Sequence, residues 1–363
     1  MNLSQLKYLF VFTVPVSALI SFNAGAGAVD PAADALGSSV LWAYAPLIYA
    51  FAIVPVIELL VPLFGRNLTD SEAQLARRDV FYDTLLLILV PVQWGLLLMF
   101  LNSLEGVQVG STLWWGRVSG MGVMCVTIGI NVGHELGHRT KRSLRLASQA
   151  LLASSLYMHF FIEHNRGHHR DVGTREDAGT ARKWEVLYLF WLRALPSVWR
   201  GAWRLEAKRL RRAGRSPWSW SNQMLQFQAV HILLVLLVLA AFGPEALLGF
   251  VIAALIGILL LETVNYIEHY GLMREKVSEH RYEPVMPVHS WNSNHLMGRL
   301  LLFELSRHSD HHHCPEKPYP TLNHEDDAPQ MPTGYPGMMI LSFIPPLWFF
   351  VMHRALKRLG RMA

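Results

Sequence analysis

Histidine is the residue type in this sequence that points most directly to chemistry, because nine of the seventeen histidines stand in four short clusters. The clusters read HELGH at 134–138, HNRGHH at 164–169, IEHYG at 267–271 and HSDHH at 308–312. Neutral imidazole is a favoured ligand for iron, copper, nickel and zinc. A catalytic zinc ion typically takes three protein ligands and keeps one position open, so one zinc ion cannot use nine imidazoles. The count indicates two metal ions that share four or five histidines each.

The spacing within the first two clusters groups their histidines. His134 and His138 are four residues apart, so on a helix they share one face, as two ligands of one ion must. His164 and His168 repeat this spacing, which predicts a second such pair. The adjacent His169 would point to another side of its helix and serve the second ion.

The other two clusters differ in how strongly they indicate metal ligands. His308, His311 and His312 combine the i, i+3 and i, i+4 spacings, which repeats the earlier pattern. His269 is a single histidine just after an apolar run, and its position fits a structural residue as well as a ligand. A zinc-protease interpretation would use only the first cluster, with Glu135 as the general base, and would leave the other clusters without a role.

Several polar residues border the clusters and are candidates for orienting the histidines. A metal-bound histidine usually donates its second ring N–H to a carboxylate or a carbonyl. The acids here are adjacent to histidines rather than repeated at ligand spacing, unlike the Glu-x-x-His pairs of soluble di-iron bundles. We therefore predict an orienting role, with carboxylate ligation as the alternative, for Glu135, Glu163, Glu176, Asp177, Glu268, His295 and Asp310.

The composition indicates a membrane protein. Of the 363 residues, 52% are hydrophobic and only 16% are charged, and the mean hydropathy is +0.25. Soluble proteins carry about 25% charged residues. The net charge of +5 fits basic loops on one side of a membrane better than a nucleic-acid surface.

The cysteines exclude several redox modules. Cys125 and Cys314 are far apart and form no Cys-x-x-Cys motif. A disulfide scaffold and a built-in iron–sulfur or rubredoxin-type module are therefore excluded. Any electrons that the protein uses must come from a separate partner.

An all-α polytopic membrane fold is predicted, because six stretches have the roughly 20 apolar residues that a membrane helix needs. The loops 29–38 and 103–111 contain no Lys or Arg, whereas 65–79 and 139–215 contain many. The positive-inside rule then places the histidine clusters on the cytoplasmic side of a bacterial inner membrane, with 134–223 and 266–363 forming the catalytic part. The six predicted spans are 7–28, 39–64, 80–102, 112–133, 224–243 and 245–265, and the last two are predicted to form a hairpin around Gly243 and Pro244.

Three apolar segments need separate interpretation. If 144–162 spanned the membrane, the second histidine cluster would lie on the opposite side from the first, so a cytoplasmic or re-entrant helix is predicted. The segment 336–352 is short and interrupted by Pro345 and Pro346, which favours an interfacial position. Residues 1–28 resemble a signal peptide as well as a retained helix, and we favour retention. A single domain over 1–363 is predicted, because no repeat or long linker interrupts the chain.

At the histidine clusters the chain resembles the integral-membrane alkane 1-monooxygenases of the fatty-acid desaturase and hydroxylase superfamily. The resemblance covers about 40–325 and includes a six-helix core. The NYIEHYG segment separates this hydroxylase branch from the desaturases, and so argues against an acyl desaturase. The matching text is HELGHR at 134–139, EHNRGHH at 163–169, NYIEHYGL at 265–272, SWNSNHL at 290–296 and RHSDHH at 307–312.

The resemblance implies a ligand set and a reaction. It implies two non-haem iron ions and O2 as co-substrate, for the terminal hydroxylation of medium- or long-chain n-alkanes to primary alcohols. The alkane would enter from membrane lipid. By the same resemblance His269 becomes a ligand, and the nine iron ligands are His134, His138, His164, His168, His169, His269, His308, His311 and His312.

The resemblance also implies an electron donor, a rubredoxin with its NADH-dependent rubredoxin reductase. Rubredoxins are generally acidic, so the basic run 193–215 is a candidate docking surface, with Arg204, Arg211 and Arg212 in it. The alternative for this run is contact with lipid headgroups or a positive-inside role.

Two departures from the family pattern leave the substrate open. Val172 to Ala178 reads VGTREDA where the family commonly has Val-Ala-Thr-Pro-Glu-Asp-Pro-Ala, and His313, Cys314 and Pro315 follow the last cluster. Both departures lie outside the ligands. A related branch that oxidises the methyl groups of xylene- or cymene-type aromatics remains an alternative. A metal transporter would need ligands along a path at mid-membrane depth, which this arrangement does not offer.

Overall fold

The computed structural model describes residues 3–25, 38–61, 63, 65–279 and 281–361. The chain is mostly helical, as predicted, and the described residues form one small antiparallel sheet of Lys276–Ser278 and Arg281–Tyr282. The chain divides into two compact units. The first unit is Met1–Ile53, Phe81–Met158 and Trp218–Leu260, and the second is Val54–Val80, His159–Pro217 and Leu261–Ala363.

Long apolar helices dominate the first unit. Its helices are Leu3–Leu6, Lys7–Phe12 (3₁₀), Thr13–Asn23, Ser38–Trp42, Ala45–Ile48, Tyr49–Ile53 (π), Val80–Ser103, Thr112–Met124, Cys125–Ile130 (π), Asn131–Gly137, Arg142–Ala153 and the larger part of Gln223–His269.

Four helices in the described part of the chain are long and apolar enough to cross a membrane: Ser4–Asn23, Val80–Ser103, Thr112–Gly137 and Gln223–His269. They coincide with five of the six predicted spans, and residues 26–28 of the first prediction lie outside the described residues. The predicted span 39–64 instead holds the shorter apolar helix Ala45–Leu60, with residues 62 and 64 outside the description. The chain is a membrane protein, and the number of six crossings stays a prediction.

The helix Gln223–His269 is interrupted at Gly243, whose φ of 81° and ψ of 176° are not helical. Glycine reaches positive φ without steric cost, and the fixed φ of Pro244 suits the start of a new helix. The interruption falls at the turn that the sequence predicted between 224–243 and 245–265. The part on each side of Gly243 has the roughly 20 residues that one crossing requires.

Two helices of the first unit approach closely at glycines. A Cβ atom on Gly122 would lie 2.5 Å from Ile256 Cγ2, and one on Gly257 would lie 2.5 Å from Cys125 Cβ. In lipid, helices associate through close packing of small residues, since lipid chains are as apolar as leucine side chains. These contacts hold the segment that leads to His134 against the helix Gln223–His269.

Apart from the long helix Leu187–Arg212, the elements of the second unit are short. They are Val54–Leu60, Asp70–Arg78, Phe160–Glu163, His164–His168 (π), His169–Asp171, Leu187–Arg212, the last turns of Gln223–His269, the two strands, Pro287–His289 (3₁₀), Leu296–Leu301, His308–His313, Tyr319–Thr321 (3₁₀), Tyr335–Ser342 and Pro345–Arg358. The helix Leu187–Arg212 buries one stripe that includes Leu187, Phe190 and Leu210, and it exposes its basic side chains apart from the half-buried Arg193.

The two weaker apolar segments are broken, which the sequence predicted only for 336–352. Segment 144–162 consists of Arg142–Ala153 and Phe160–Glu163, and Leu156 between them has a positive φ of 52°. Segment 336–352 is divided at Pro345, where a new helix begins. None of these helices is long enough to span a membrane. Their positions relative to a membrane stay predictions.

Candidate metal centre

The first unit holds one histidine pair. The π-helix Cys125–Ile130 leads into the helix Asn131–Gly137, on which His134 is buried. His138 is half-buried, and the Nε2 atoms of His134 and His138 are 3.0 Å apart, so the predicted i, i+4 pair is confirmed. Two nitrogens that each lie about 2.0–2.1 Å from one ion, at bond angles of about 90–110°, are roughly 2.9–3.4 Å apart. The pair therefore has the separation of two ligands of one ion.

The second cluster is paired differently from the prediction. His164–His168 is a π-helix, in which residues five apart share a face. The Nε2 atoms of His164 and His169 are 2.9 Å apart, and with His311 these two form the first histidine set, whose ligand atoms lie within 4.8 Å of one another. The predicted pairing of His164 with His168 is wrong, because the wider π turn brings His169 onto the face of His164.

The second histidine set consists of His168, His269, His308 and His312. The ligand atoms of His168, His269 and His312 lie within 4.8 Å of one another, and the ring centroids are 4.8–5.0 Å apart. His308 joins them with its Nε2 atom 3.2 Å from that of His269. All four rings are buried. The predicted split of His168 and His169 between two sets is confirmed.

Buried nitrogens in the second histidine set fit a metal ion. Nε2 of His168 and both ring nitrogens of His312 are buried and have no hydrogen-bond partner among the described residues. A buried polar group without a partner costs about 1–3 kcal/mol. Burial and then the neighbouring histidines lower the pKa of His312 well below its usual 6.5, which keeps the ring in the neutral form that binds metal. An ion that prefers imidazole would satisfy these nitrogens.

Asp177 orients one of these histidines. Its carboxylate oxygens accept a hydrogen bond from Nδ1 of His168 at 3.0 and 3.1 Å, and Thr180 Oγ1 donates to Asp177 Oδ2 at 2.6 Å. Burial alone would lower the pKa of His168, but Asp177 outweighs it and the pKa rises to about 9. The bond holds Nδ1 of His168 and leaves Nε2 without a hydrogen-bond partner among the described residues, an arrangement that fits the predicted orienting role of Asp177.

Glu268 lies next to the Nε2 atom of a histidine, whereas Asp177 binds an Nδ1 atom. Its carboxylate is 1% exposed, accepts a 2.7 Å hydrogen bond from the Tyr335 hydroxyl, and has Oε2 3.2 Å from Nε2 of His308. A carboxylate oxygen of Glu268 lies within 4.8 Å of the ligand atoms of His269 and His308. Burial and then Glu268 raise the pKa of Tyr335 well above 10, so its hydroxyl remains a donor. The sequence analysis missed Tyr335, since no spacing pattern connects it to a cluster.

Two other predicted orienting acids have structural contacts. Glu135 forms an ion pair with Arg139 at 2.9 Å, within the first unit. Glu163 packs on glycines of the second unit: a Cβ atom on Gly167 would lie 2.7 Å from Glu163 Oε1, and one on Gly201 would lie 3.2 Å from Glu163 Cγ. Burial and then Asp177 raise the pKa of Glu163 to about 8.

Asp310, His295 and Glu176 have no bond to a predicted ligand within the described residues. Asp310 binds Lys317 Nζ at 2.6 and 2.9 Å and accepts the backbone N–H of Asn323, which ties the helix His308–His313 to the segment after it. The Nδ1 atom of His295 lies 3.0 Å from Ser293 Oγ, and Glu176 accepts a hydrogen bond from Tyr282. Their contacts hold loops in place.

The three predicted docking residues share one helix. Arg204, Arg211 and Arg212 are exposed on Leu187–Arg212, opposite its buried stripe. The buried carboxylate of Glu206 on the same helix pairs with Arg166 at 2.7 Å and Arg209 at 2.8 Å. These pairs anchor the helix and leave the three predicted side chains on its outer face.

Comparisons with known proteins identify the family of the chain. Residues 112–342 match the model of the fatty acid desaturase family. The chain is 40% identical to alkane 1-monooxygenase 1 of Alcanivorax borkumensis, over 85% of this chain and 76% of that protein. It is also 40% identical to an alkane 1-monooxygenase of Pseudomonas putida, over 81% of this chain and 73% of that protein.

A more distant relative comes from the aromatic branch. The xylene/toluene monooxygenase hydroxylase component of Pseudomonas putida is 33% identical over 60% of this chain and 58% of that protein. The alkane 1-monooxygenases are thus more similar and are matched over more of their length. This chain belongs to the fatty acid desaturase family and, within it, to the membrane-bound alkane 1-monooxygenases.

Proposed function

We propose that this protein hydroxylates the terminal methyl group of medium- or long-chain n-alkanes to primary alcohols, with O2 as co-substrate. The observation that carries the proposal is the division of the second unit's histidines into two sets. The ligand atoms of His164, His169 and His311 lie within 4.8 Å of one another, and so do those of His168, His269 and His312. Similarity to alkane 1-monooxygenases over more than four fifths of the chain supports the substrate class. An iron centre, when bound, supplies the O2 and electron chemistry that no amino-acid side chain provides.

The proposed ligands of two iron ions are the nine histidines of the sequence analysis, and 1–363 is proposed to form one hydroxylase domain. The sequence pattern supports a ligand role least for His269. Its Nε2 atom nevertheless lies 3.2 Å from Nε2 of His308, and the residue is fully buried. The chain's own task is to hold the imidazoles neutral and oriented. Asp177 orients His168 through Nδ1.

Product analysis tests the proposal. Purified, iron-loaded protein in detergent would receive octane or dodecane with rubredoxin, reductase and NADH, and products would be separated by gas chromatography. We expect a primary alcohol that His269→Ala abolishes. His313→Ala is the matched control, because His313 follows the last cluster but is exposed and bonds to the Val285 carbonyl. No oxidised product from any alkane would refute the proposal.

A rubredoxin is proposed as the electron donor, docking on the basic face of Leu187–Arg212. The exposure of Arg204, Arg211 and Arg212 supports this, since acidic partners are steered by such surfaces. Reversal of these three charges to Glu should slow reduction of the iron centre by reduced rubredoxin by tenfold or more at low salt, an order of magnitude typical of lost steering.

A matched pair of charge reversals controls this docking test. Arg77→Glu and Arg78→Glu change exposed charges at the end of the helix Asp70–Arg78 and should leave the rate unchanged. Equal rates of reduction in the two variants, without salt dependence, would assign the basic run 193–215 to lipid headgroups instead.

The active side is proposed to face the cytoplasm of a bacterial inner membrane, and the fold is proposed to cross it six times. The support is the charge difference between loops 103–111 and 139–215. Reporter fusions after residue 106 and after residue 214 test this. A cytoplasmic reporter should be active only at the second position, and activity at the first would contradict the topology.

Methyl-group oxidation of xylene-type aromatics is a second candidate function. The support is the similarity to the xylene/toluene monooxygenase hydroxylase component, over 60% of the chain. In the product assay, turnover of xylene without turnover of octane or dodecane would select it.

A further inference from the structure

The position of Glu268 relative to the histidine nitrogens separates it from the orienting acids. Asp177 binds His168 through Nδ1 and leaves the buried Nε2 without a hydrogen-bond partner among the described residues. Glu268 instead lies 3.2 Å from Nε2 of His308, and that nitrogen is itself 3.2 Å from Nε2 of His269. An orienting carboxylate binds the nitrogen that does not hold metal. Glu268 therefore lies on the side of the rings where the ion would be.

The donor set around this position has a recognisable composition. Glu268, His269 and His308 offer one carboxylate oxygen and two imidazole nitrogens, all within 4.8 Å of one another. Two histidines with one carboxylate are a donor combination that non-haem iron(II) sites use. None of the other metal-ligand groups among the described residues includes a carboxylate.

The positive charge of a divalent ion favours a carboxylate ligand in this buried site. The imidazole ligands are neutral when they bind metal, so they do not compensate the charge of a divalent ion. An ion without compensating charge in a buried site is costly, and a carboxylate reduces that cost. Glu268 is 1% exposed, and its other oxygen is held by the Tyr335 hydroxyl at 2.7 Å.

We infer that Glu268 is a tenth, carboxylate ligand of the iron ion held by the second histidine set, and that Tyr335 positions it. The inference rests on the two-iron centre proposed above. Tyr335 fixes one carboxylate oxygen through its O–H, which leaves Oε2 turned to His308 and the ion. The second histidine set then differs from the first in carrying an anionic ligand, so the two iron ions have unlike surroundings.

The test is Mössbauer spectroscopy of protein loaded with ⁵⁷Fe(II), together with iron affinity from chelator competition. Wild-type protein should hold two iron ions per chain with two distinguishable signals. Glu268→Gln should shift one signal and weaken the affinity for one iron by at least the roughly 10–100-fold that is typical of losing a residue that only orients a ligand. Tyr335→Phe should shift the same signal by a smaller amount.

Glu206→Gln is the matched control, because Glu206 is an equally buried carboxylate that pairs with Arg166 and Arg209. It should leave both signals and both affinities unchanged. Unchanged iron signals in Glu268→Gln would overturn the inference. If that variant does not fold, unchanged signals in folded Tyr335→Phe would overturn it equally.

The outcomes also separate this inference from the proposed function. A wild-type protein with two iron signals, one of them sensitive to Glu268→Gln, but with no alkane product, keeps the ligand and refutes the reaction. Alkane hydroxylation by wild type together with iron signals indifferent to Glu268 keeps the reaction and refutes the ligand. Wild-type protein that binds no iron refutes both.

Discussion

Replacing Asp177 with Asn should weaken iron binding without unfolding the protein. The carboxylate contacts Nδ1 of His168 through both oxygens, at 3.0 and 3.1 Å, and Thr180 Oγ1 holds it at 2.6 Å. Asn keeps the shape and loses the charge, so His168 loses a charge-assisted bond and its fixed orientation. Changes to such a partner of a ligand typically cost 10–100-fold in metal affinity, which is about 1.4–2.7 kcal/mol.

Asp310→Asn is the control variant for this prediction. Asp310 is as buried as Asp177 and stands between two predicted ligands in the sequence, but its bonds go to Lys317 and to the Asn323 backbone. This variant should lower the thermal unfolding midpoint, because removing one partner of a buried ion pair is destabilising. Its iron affinity should stay within about threefold of wild type, as expected for a bond that does not orient a ligand.

The assay is competition for Fe(II) between detergent-purified protein and a chromophoric chelator, with the unfolding midpoint measured on the same samples. Iron affinity of Asp177→Asn equal to that of wild type would refute the orienting role. An equal loss of affinity in Asp177→Asn and Asp310→Asn would also refute it, because the effect would then follow general destabilisation rather than the bond to His168.

Three further predictions concern the backbone and the metal. Gly167→Ala should lower iron content, since the new Cβ would lie 2.7 Å from Glu163 Oε1 inside the π-helix that presents His164 and His169; metal analysis checks this. Gly243→Ala should lower the free energy of unfolding by about 1–2 kcal/mol, because φ at this position is 81°. Gly95→Ala should leave it unchanged, because Gly95 is a helical glycine with open space around it. Denaturant unfolding compares the two variants. Removal of iron by a chelator should lower the unfolding midpoint, and re-addition of Fe(II) should restore it, because ligands that bind only the folded state stabilise it.

The sequence predicted the features that depend on local pattern. The apolar runs located the long helices, and Gly243 with Pro244 located the interruption in Gln223–His269, since both signals act within a few residues. The pair of His134 and His138 followed from α-helical spacing alone. Each of these predictions needed only the neighbouring residues.

Features set by long-range contacts were not predictable in the same way. Tyr335 reaches Glu268 from 67 positions along the chain, and no spacing indicates that contact. The choice of Asp177 over Asp310 as an orienting acid also depends on which loop packs against which ring. Six crossings could be counted from composition, but the segment 39–64 folds into shorter helices than its apolar length suggests.

The π-helix explains both an error and a success. An α-helical reading of HNRGHH pairs His164 with His168, whereas the π turn pairs residues five apart, and His164 lies 2.9 Å from His169. A spacing of five between His164 and His169 was visible in the sequence. It would have indicated the π turn, which occurs frequently at functional sites.

The doublets are the sequence signature of two separate sets. Adjacent residues on a helix of 3.6 residues per turn point about 100° apart, so neighbouring histidines cannot serve one ion equally well. The structure divides each doublet between the two sets: His168 and His312 belong to the second histidine set, and His169 and His311 to the first. A single metal ion would make one member of each doublet superfluous, whereas two ions give all four a ligand position. Repeated His-His is therefore a stronger indication of a dinuclear site than the total number of histidines.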